Sequence, residues 1–236
     1  MKTVIGAAYG GVGSALARQL AAAGHELLLL GRNGDKLAAL CGEIGGQYVP
    51  LDLTNLEAVE AAVGSFGPVD AVVNCAGSIL LKPVHLTSEA EFQQTIDTNL
   101  KTAFVCLRAA ARNMPQGGSV VLVSTAAARI GYANHEAIAA AKAGVAGMAL
   151  AAAATYAPRN IRVNVVAPGL VDTPLASRIT SNEMALKAST AMHALGRIGK
   201  PEDVARMIAF LVDPANAWVT GQLFGVDGGL GTLRAK

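Results

Sequence analysis

The sequence predicts an α/β protein: a doubly wound, seven-stranded, mostly parallel sheet with helices on both faces. Three observations carry that expectation. Short apolar runs alternate with helical patterns along all 236 residues. Runs such as Val120-Val121-Leu122-Val123 are apolar without alternation, which suits strands buried on both faces. A glycine cluster also follows the first run directly and opens a helix.

Strands are expected at Thr3–Ile5, Glu26–Leu30, Gln47–Val49, Ala71–Asn74, Ser119–Ser124, Ile161–Val166 and Leu223–Val226. The first helix should run from about Ser14 to Ala23. Thr54-Asn55-Leu56-Glu57 and Ser88-Glu89-Ala90-Glu91 read as capping boxes that open two more. Lys200-Pro201-Glu202-Asp203 opens another, with proline in the first turn. No repeat or low-complexity linker divides the chain, so residues 1–236 read as one domain.

Composition narrows the function classes. Hydrophobic residues make up 52% and charged residues 15%, the opposite of a disordered chain. A formal net charge of +2 is too weak a field to suggest nucleic acid as the main partner. The three cysteines, Cys41, Cys75 and Cys106, have neither C-x-x-C spacing nor an even count, so no disulfide framework or zinc site is expected. The uninterrupted apolar stretch Ala143–Ala154 is too short to cross a bilayer, and no membrane role is expected. Ala15-Leu16-Ala17 mimics a signal cleavage site, but Gly6, Gly10, Gly11 and Gly13 interrupt the apolar helix such a signal needs. The expected location is the cytoplasm.

The loop Gly6-Ala7-Ala8-Tyr9-Gly10-Gly11-Val12-Gly13 joins the first strand to the first helix. Glycines there allow a tight turn and close approach of a phosphate, while the helix N-terminus offers free N–H donors. The second strand ends at Leu30-Gly31-Arg32-Asn33, where a Rossmann fold places the residue that reads the adenosine ribose, roughly 20 residues past the loop. A carboxylate would bind the free 2′-hydroxyl of NAD(H). Gly31-Arg32 offers room and a cation, which favours the 2′-phosphate of NADP(H), with NAD(H) still possible.

Further landmarks follow in order, and together the sequence resembles the short-chain dehydrogenase/reductase family over essentially its whole length. The glycine loop is similar to the family's T-G-x-x-x-G-x-G, with Gly6 and Ala7 where threonine and glycine usually stand. The resemblance implies that Asp52, beside Leu53, binds the adenine amino group. It implies that Asn74, Ala76 and Gly77 support and line the cofactor cleft, as in N-N-A-G. Asn99 would be tied to a proton relay. Pro168, Gly169, Val171 and Thr173 would hold the nicotinamide carboxamide. The segment 174–200 would cover a small-molecule substrate, and the ending Val226-Asp227-Gly228-Gly229 is typical of the family.

The family's catalytic lysine corresponds to Lys142, but its tyrosine, four residues earlier, corresponds to Ile138. Its serine corresponds to Thr125, with Ser124 an alternative one residue away. Isoleucine cannot move a proton, so three replacements are considered. His135 lies seven residues before Lys142, the spacing of the tyrosine in the enoyl-acyl-carrier-protein reductases of this superfamily. On a continuous helix that is the same face at about 10.5 Å of rise, and an imidazole is a plausible acid near neutral pH. Tyr132 and Glu136 are the other two.

The preferred expectation is therefore an NADP(H)-dependent oxidoreductase acting on a carbonyl, or an activated C=C bond, of a small apolar substrate. The alternative is a catalytically impaired NADP-binding sensor or regulatory protein. The resemblance also implies a homotetramer or homodimer packed through the helices near residues 88–112 and 135–157.

Overall fold

The computed structural model describes residues 1–233. Seven strands form one sheet in the order β3-β2-β1-β4-β5-β6-β7. They are β1 (Lys2–Gly6), β2 (Glu26–Gly31), β3 (Gln47–Pro50), β4 (Ala71–Asn74), β5 (Gly118–Val123), β6 (Ile161–Pro168) and β7 (Leu223–Val226). Every neighbouring pair is parallel. The chain winds outward from β1 to β3, then returns to place β4 on the other side of β1. That reversal opens a crevice beyond the carboxyl ends of β1 and β4.

The helices are α1 (Gly11–Ala22), α2 (Gly34–Ile44), α3 (Leu56–Phe66), α4 (Glu89–Ile96), α5 (Thr102–Asn113), α6 (Glu136–Tyr156), α7 (Ser177–Thr180), α8 (Glu183–Met192) and α9 (Pro201–Val212). Alternate strand residues feed two separate cores. Val4, Leu28, Val72, Val120 and Val163 pack toward α3, α5 and α6. Ile5, Leu29, Val73, Val121 and Val166 pack toward α1, α2 and α9. Burial on both faces explains the continuous apolar runs Leu27–Leu30, Ala71–Val73 and Val120–Val123 in β2, β4 and β5.

Two local expectations need correction. α1 starts at Gly11 rather than Ser14, because Gly10 is the extended N-cap residue and Gly11, Val12 and Gly13 form the first turn. α3 is capped by Asn55, whose side chain accepts from the Ala58 N–H, not by Thr54. Thr54 is taken by Asp52, whose Oδ1 accepts both its N–H and its hydroxyl at 2.8 Å. The box at Ser88 and Glu91 does form as the sequence indicates.

The long α6 also runs beyond its apolar stretch. With the following turn it spans Glu136–Arg159, which is long and apolar enough to cross a bilayer by composition alone. Ala141, Val145, Ala149, Ala152 and Ala153 of this helix are buried, and Val145, Ala149, Ala152 and Ala153 belong to the core on that side of the sheet. Ala143, Gly147 and Leu150 face away from it and are exposed.

Candidate active site

At the nucleotide end, β1 delivers the chain into the glycine loop at Gly6. Ala7 adopts a left-handed φ of +55°, a conformation that disfavours a residue with a Cβ by about 1–2 kcal/mol. Its carbonyl accepts the Gly10 N–H at 3.1 Å. A Cβ at Gly13 would lie 2.5 Å from that same carbonyl oxygen, so no side chain fits there. The α1 N-terminus has no side-chain cap and no acidic residue in its first turn. Its free N–H groups and dipole therefore face the crevice unopposed, as an anion seat requires.

Arg32 and Asp52 line the same crevice. The Asp52 carboxyl is held below its usual range, first by the Thr54 N–H, then by the Thr54 hydroxyl and the nearby Arg32 and Lys101 charges, against partial burial. Gly31 lines the crevice too, but the position a Cβ would take there is filled. The Tyr9 ring covers it, with Cε1 only 2.7 Å from where a Cβ at Gly31 would stand. The Lys36 ammonium lies 5.8 Å from the centre of the same ring. Gly31 is thus small to admit an aromatic wall, which sequence reasoning missed. The available signal was an aromatic inside a glycine loop opposite a glycine at the end of β2.

At the other end, α6 supplies Lys142 and the turn after β5 supplies Thr125. Lys142 is 6% exposed, and its Nζ donates to the Val123 carbonyl at 2.8 Å and the Ala76 carbonyl at 3.4 Å. Burial lowers its pKa to about 8, because desolvation penalises the charged form. The Ser124 hydroxyl is committed elsewhere, donating to the Lys142 carbonyl at 2.8 Å. Thr125 Oγ1 accepts the Ala127 N–H at 3.3 Å, which leaves its proton free. Ile138, one turn before Lys142, completes this wall.

The cleft encloses about 490 Å³ and brings together most of the residues singled out from the sequence: Gly10, Gly11, Val12, Gly13, Arg32, Asp52, Leu53, Ala76, Gly77, Thr125, Lys142, Pro168, Gly169, Val171 and Thr173. Gly6, Asn74 and Asn99 stand behind it. Asn74 accepts the Ala76 N–H at 3.0 Å and donates to Thr102 Oγ1 at 3.1 Å, bracing β4 against α5. Asn99 sits in a π-turn, Asp97–Lys101, between α4 and α5. Its amide donates to Ser78 Oγ at 2.8 Å and its oxygen accepts the Ser78 N–H at 3.1 Å, fixing a serine that does line the cleft.

His135 does not line the cleft. It is the N-cap residue of α6, its ring packs on Tyr132 at 5.4 Å, and its Nδ1 lies 2.8 Å from the Ala133 carbonyl. Tyr132 and Glu136 are likewise outside the lining. His135 lies just before α6, and the i to i+7 spacing does not bring it into the cleft lining. Ser78, Leu170 and Leu175 do line it and were not singled out from the sequence.

A doubly wound parallel sheet with a glycine-loop anion seat and a buried lysine in one crevice defines a dinucleotide-fold oxidoreductase. The family model described as enoyl-(acyl carrier protein) reductase matches residues 6–231. The chain belongs to the short-chain dehydrogenase/reductase family. It is 37% identical over 237 residues to a cis-4-hydroxycyclohexanecarboxylate dehydrogenase of Sinomonas cyclohexanicum, covering 96% of this chain and 94% of that one. A short-chain dehydrogenase/reductase from Mycobacterium ulcerans superposes with a TM-score of 0.94 at 33% identity, covering 99% of this chain and 90% of the other. An actinorhodin polyketide ketoreductase solved with NADPH gives 0.91 at 28% identity, covering 98% and 97%.

Proposed function

We propose that this protein is an NADP(H)-dependent oxidoreductase that transfers hydride to a carbonyl of a small apolar substrate. The observation that carries the reading is one continuous cleft with an anion seat and Arg32 at one end and Lys142 with Thr125 at the other. The residues present fit the cofactor. Uncapped amides of α1 suit a pyrophosphate, and a guanidinium suits a 2′-phosphate. The relative solved with NADPH supports the same choice. NAD(H) remains the competing ligand.

When bound, NADPH supplies the hydride, and the chain's own residues do the rest. The free hydroxyl proton of Thr125 is available to a developing oxyanion. The reading takes Ile138 to stand where the family carries its proton-donating tyrosine. His135, Tyr132 and Glu136 stay outside the cleft lining, so the proton source is assigned to Lys142, which is protonated below about pH 8. Reduction should then weaken as pH rises through 8. Ile79, Ile138, Leu170 and Leu175 make the substrate end apolar. Reduction of an activated C=C bond needs the same hydride and proton and is tested alongside.

A second reading, an NADP-binding sensor with impaired chemistry, draws on the same Ile138. The reading extends to a cytoplasmic homotetramer or homodimer, supported by exposed Phe92, Phe104 and Leu150 on α4, α5 and α6. The test is calorimetric titration of the protein and its Arg32→Ala variant with NADPH and NADH. Preference for NADPH, lost in the variant, is expected, and binding of neither would overturn the proposal. Binding without turnover of ketones, aldehydes or enoyl thioesters would favour the sensor.

A further inference from the structure

His193 follows α8 and is only 3% exposed. Its Nδ1 lies 2.6 Å from the Ser189 carbonyl in the last turns of α8. Its Nε2 lies 3.2 Å from the backbone N of Leu170. A carbonyl can only accept and a backbone N–H can only donate. The proton therefore sits on Nδ1 and the Nε2 lone pair receives the Leu170 N–H, so both ring nitrogens are spent.

The ring is also wedged between glycines. A Cβ at Gly169 would stand 2.5 Å from Nε2, and one at Gly228 would stand 3.5 Å from Cδ2. His193 thus joins three segments: α8, the Pro168–Thr173 loop that lines the cleft, and the turn after β7. On its far side the same loop is held by Gly199, whose N–H donates to the Leu170 carbonyl at 2.8 Å and whose carbonyl accepts the Asp172 N–H at 2.9 Å. Leu170 is therefore gripped through both its backbone groups, and its N–H depends on the histidine.

We propose that His193 is a positioning residue that sets the Leu170 backbone, and with it the wall of the cleft at the reacting end of the cofactor, in register with α8. The inference rests on the cofactor reading above. His193 touches neither the anion seat nor Arg32. Its loss should weaken ligands that reach the far end of the cleft and spare those that stop at the adenosine end.

The experiment compares the wild type, His193→Ala and His193→Gln with two probes, NADPH and adenosine 2′,5′-bisphosphate, alongside amide hydrogen exchange without ligand. Glutamine keeps an acceptor able to meet the Leu170 N–H, whereas alanine leaves that part-buried donor without its partner. Alanine should weaken NADPH by about tenfold or more while leaving adenosine 2′,5′-bisphosphate unchanged. Glutamine should recover most of the loss. The Leu170 amide should exchange faster in the alanine variant, with β5 and β6 amides unchanged as the control for folding.

Equal loss for both probes, or unchanged Leu170 exchange in His193→Ala, would overturn the assignment. A wild type that binds neither probe would instead overturn the cofactor reading, and the exchange measurement would still decide whether His193 holds Leu170.

Discussion

Replacing Lys142 by methionine removes a buried ammonium while keeping an unbranched chain of similar length. Burial lowers the lysine's pKa from 10.5 to about 8. In the unfolded chain it titrates near its ordinary value, so between about pH 8 and 10.5 the unfolded state holds a proton that the folded state does not. Stability of the wild type must therefore rise with pH across that window. Each unit of displacement is worth 1.36 kcal/mol, which makes the rise about 3 kcal/mol. Below pH 8 both states are protonated and the penalty is fully present. The Lys142→Met protein lacks this slope. Denaturant unfolding of both proteins at several pH values from 7 to 11 is the assay, with other titrations cancelling in the difference. The advantage of methionine should be largest at pH 7 and shrink by about 3 kcal/mol by pH 10.5, while turnover is lost. Parallel curves would refute the claim that this lysine is held in the cleft at an energetic cost.

Two further substitutions test other parts of the site. Ala7→Gly should raise stability by about 0.5–1 kcal/mol, since relief of the left-handed strain exceeds the added unfolded-state entropy, and thermal unfolding reads it directly. Ile138→Tyr restores an ionisable hydroxyl one turn before Lys142 and should raise kcat for ketone reduction about 10²-fold or more. An unchanged rate would show that proton transfer does not limit the reaction.

Much of the architecture was legible before any coordinates, for local reasons. Strands such as Leu27–Leu30 and Val120–Val123 declare themselves because both faces of the sheet are covered there and the run carries no polar residue. Gly13 in the loop shows its purpose because only glycine fits a site where a Cβ would stand 2.5 Å from the Ala7 carbonyl oxygen. Ser88 and Glu91 cap their helix with groups three residues apart, a distance that sequence measures directly. Lys142, Thr125 and Arg32 could be placed at the crevice because residues at the carboxyl ends of parallel strands, or one helix away from them, converge there by topology.

What the sequence alone determined, then, was the order of elements, the parallel sheet and the end of it where a ligand belongs. All three follow from periodicity and from contacts within a few residues. Only the tertiary structure decided that Tyr9 closes over Gly31, that His135 stays outside the cleft, that Asp52 takes Thr54 and passes the cap to Asn55, and that His193 reaches Leu170. Three of these are meetings, or a missed meeting, between segments whose separation depends on the path of intervening loops, and the cap shift turns on which of two acceptors within a few residues takes Thr54. Hydrophobic pattern sets which face a residue occupies. The distance across that face is set by how far each loop carries its end.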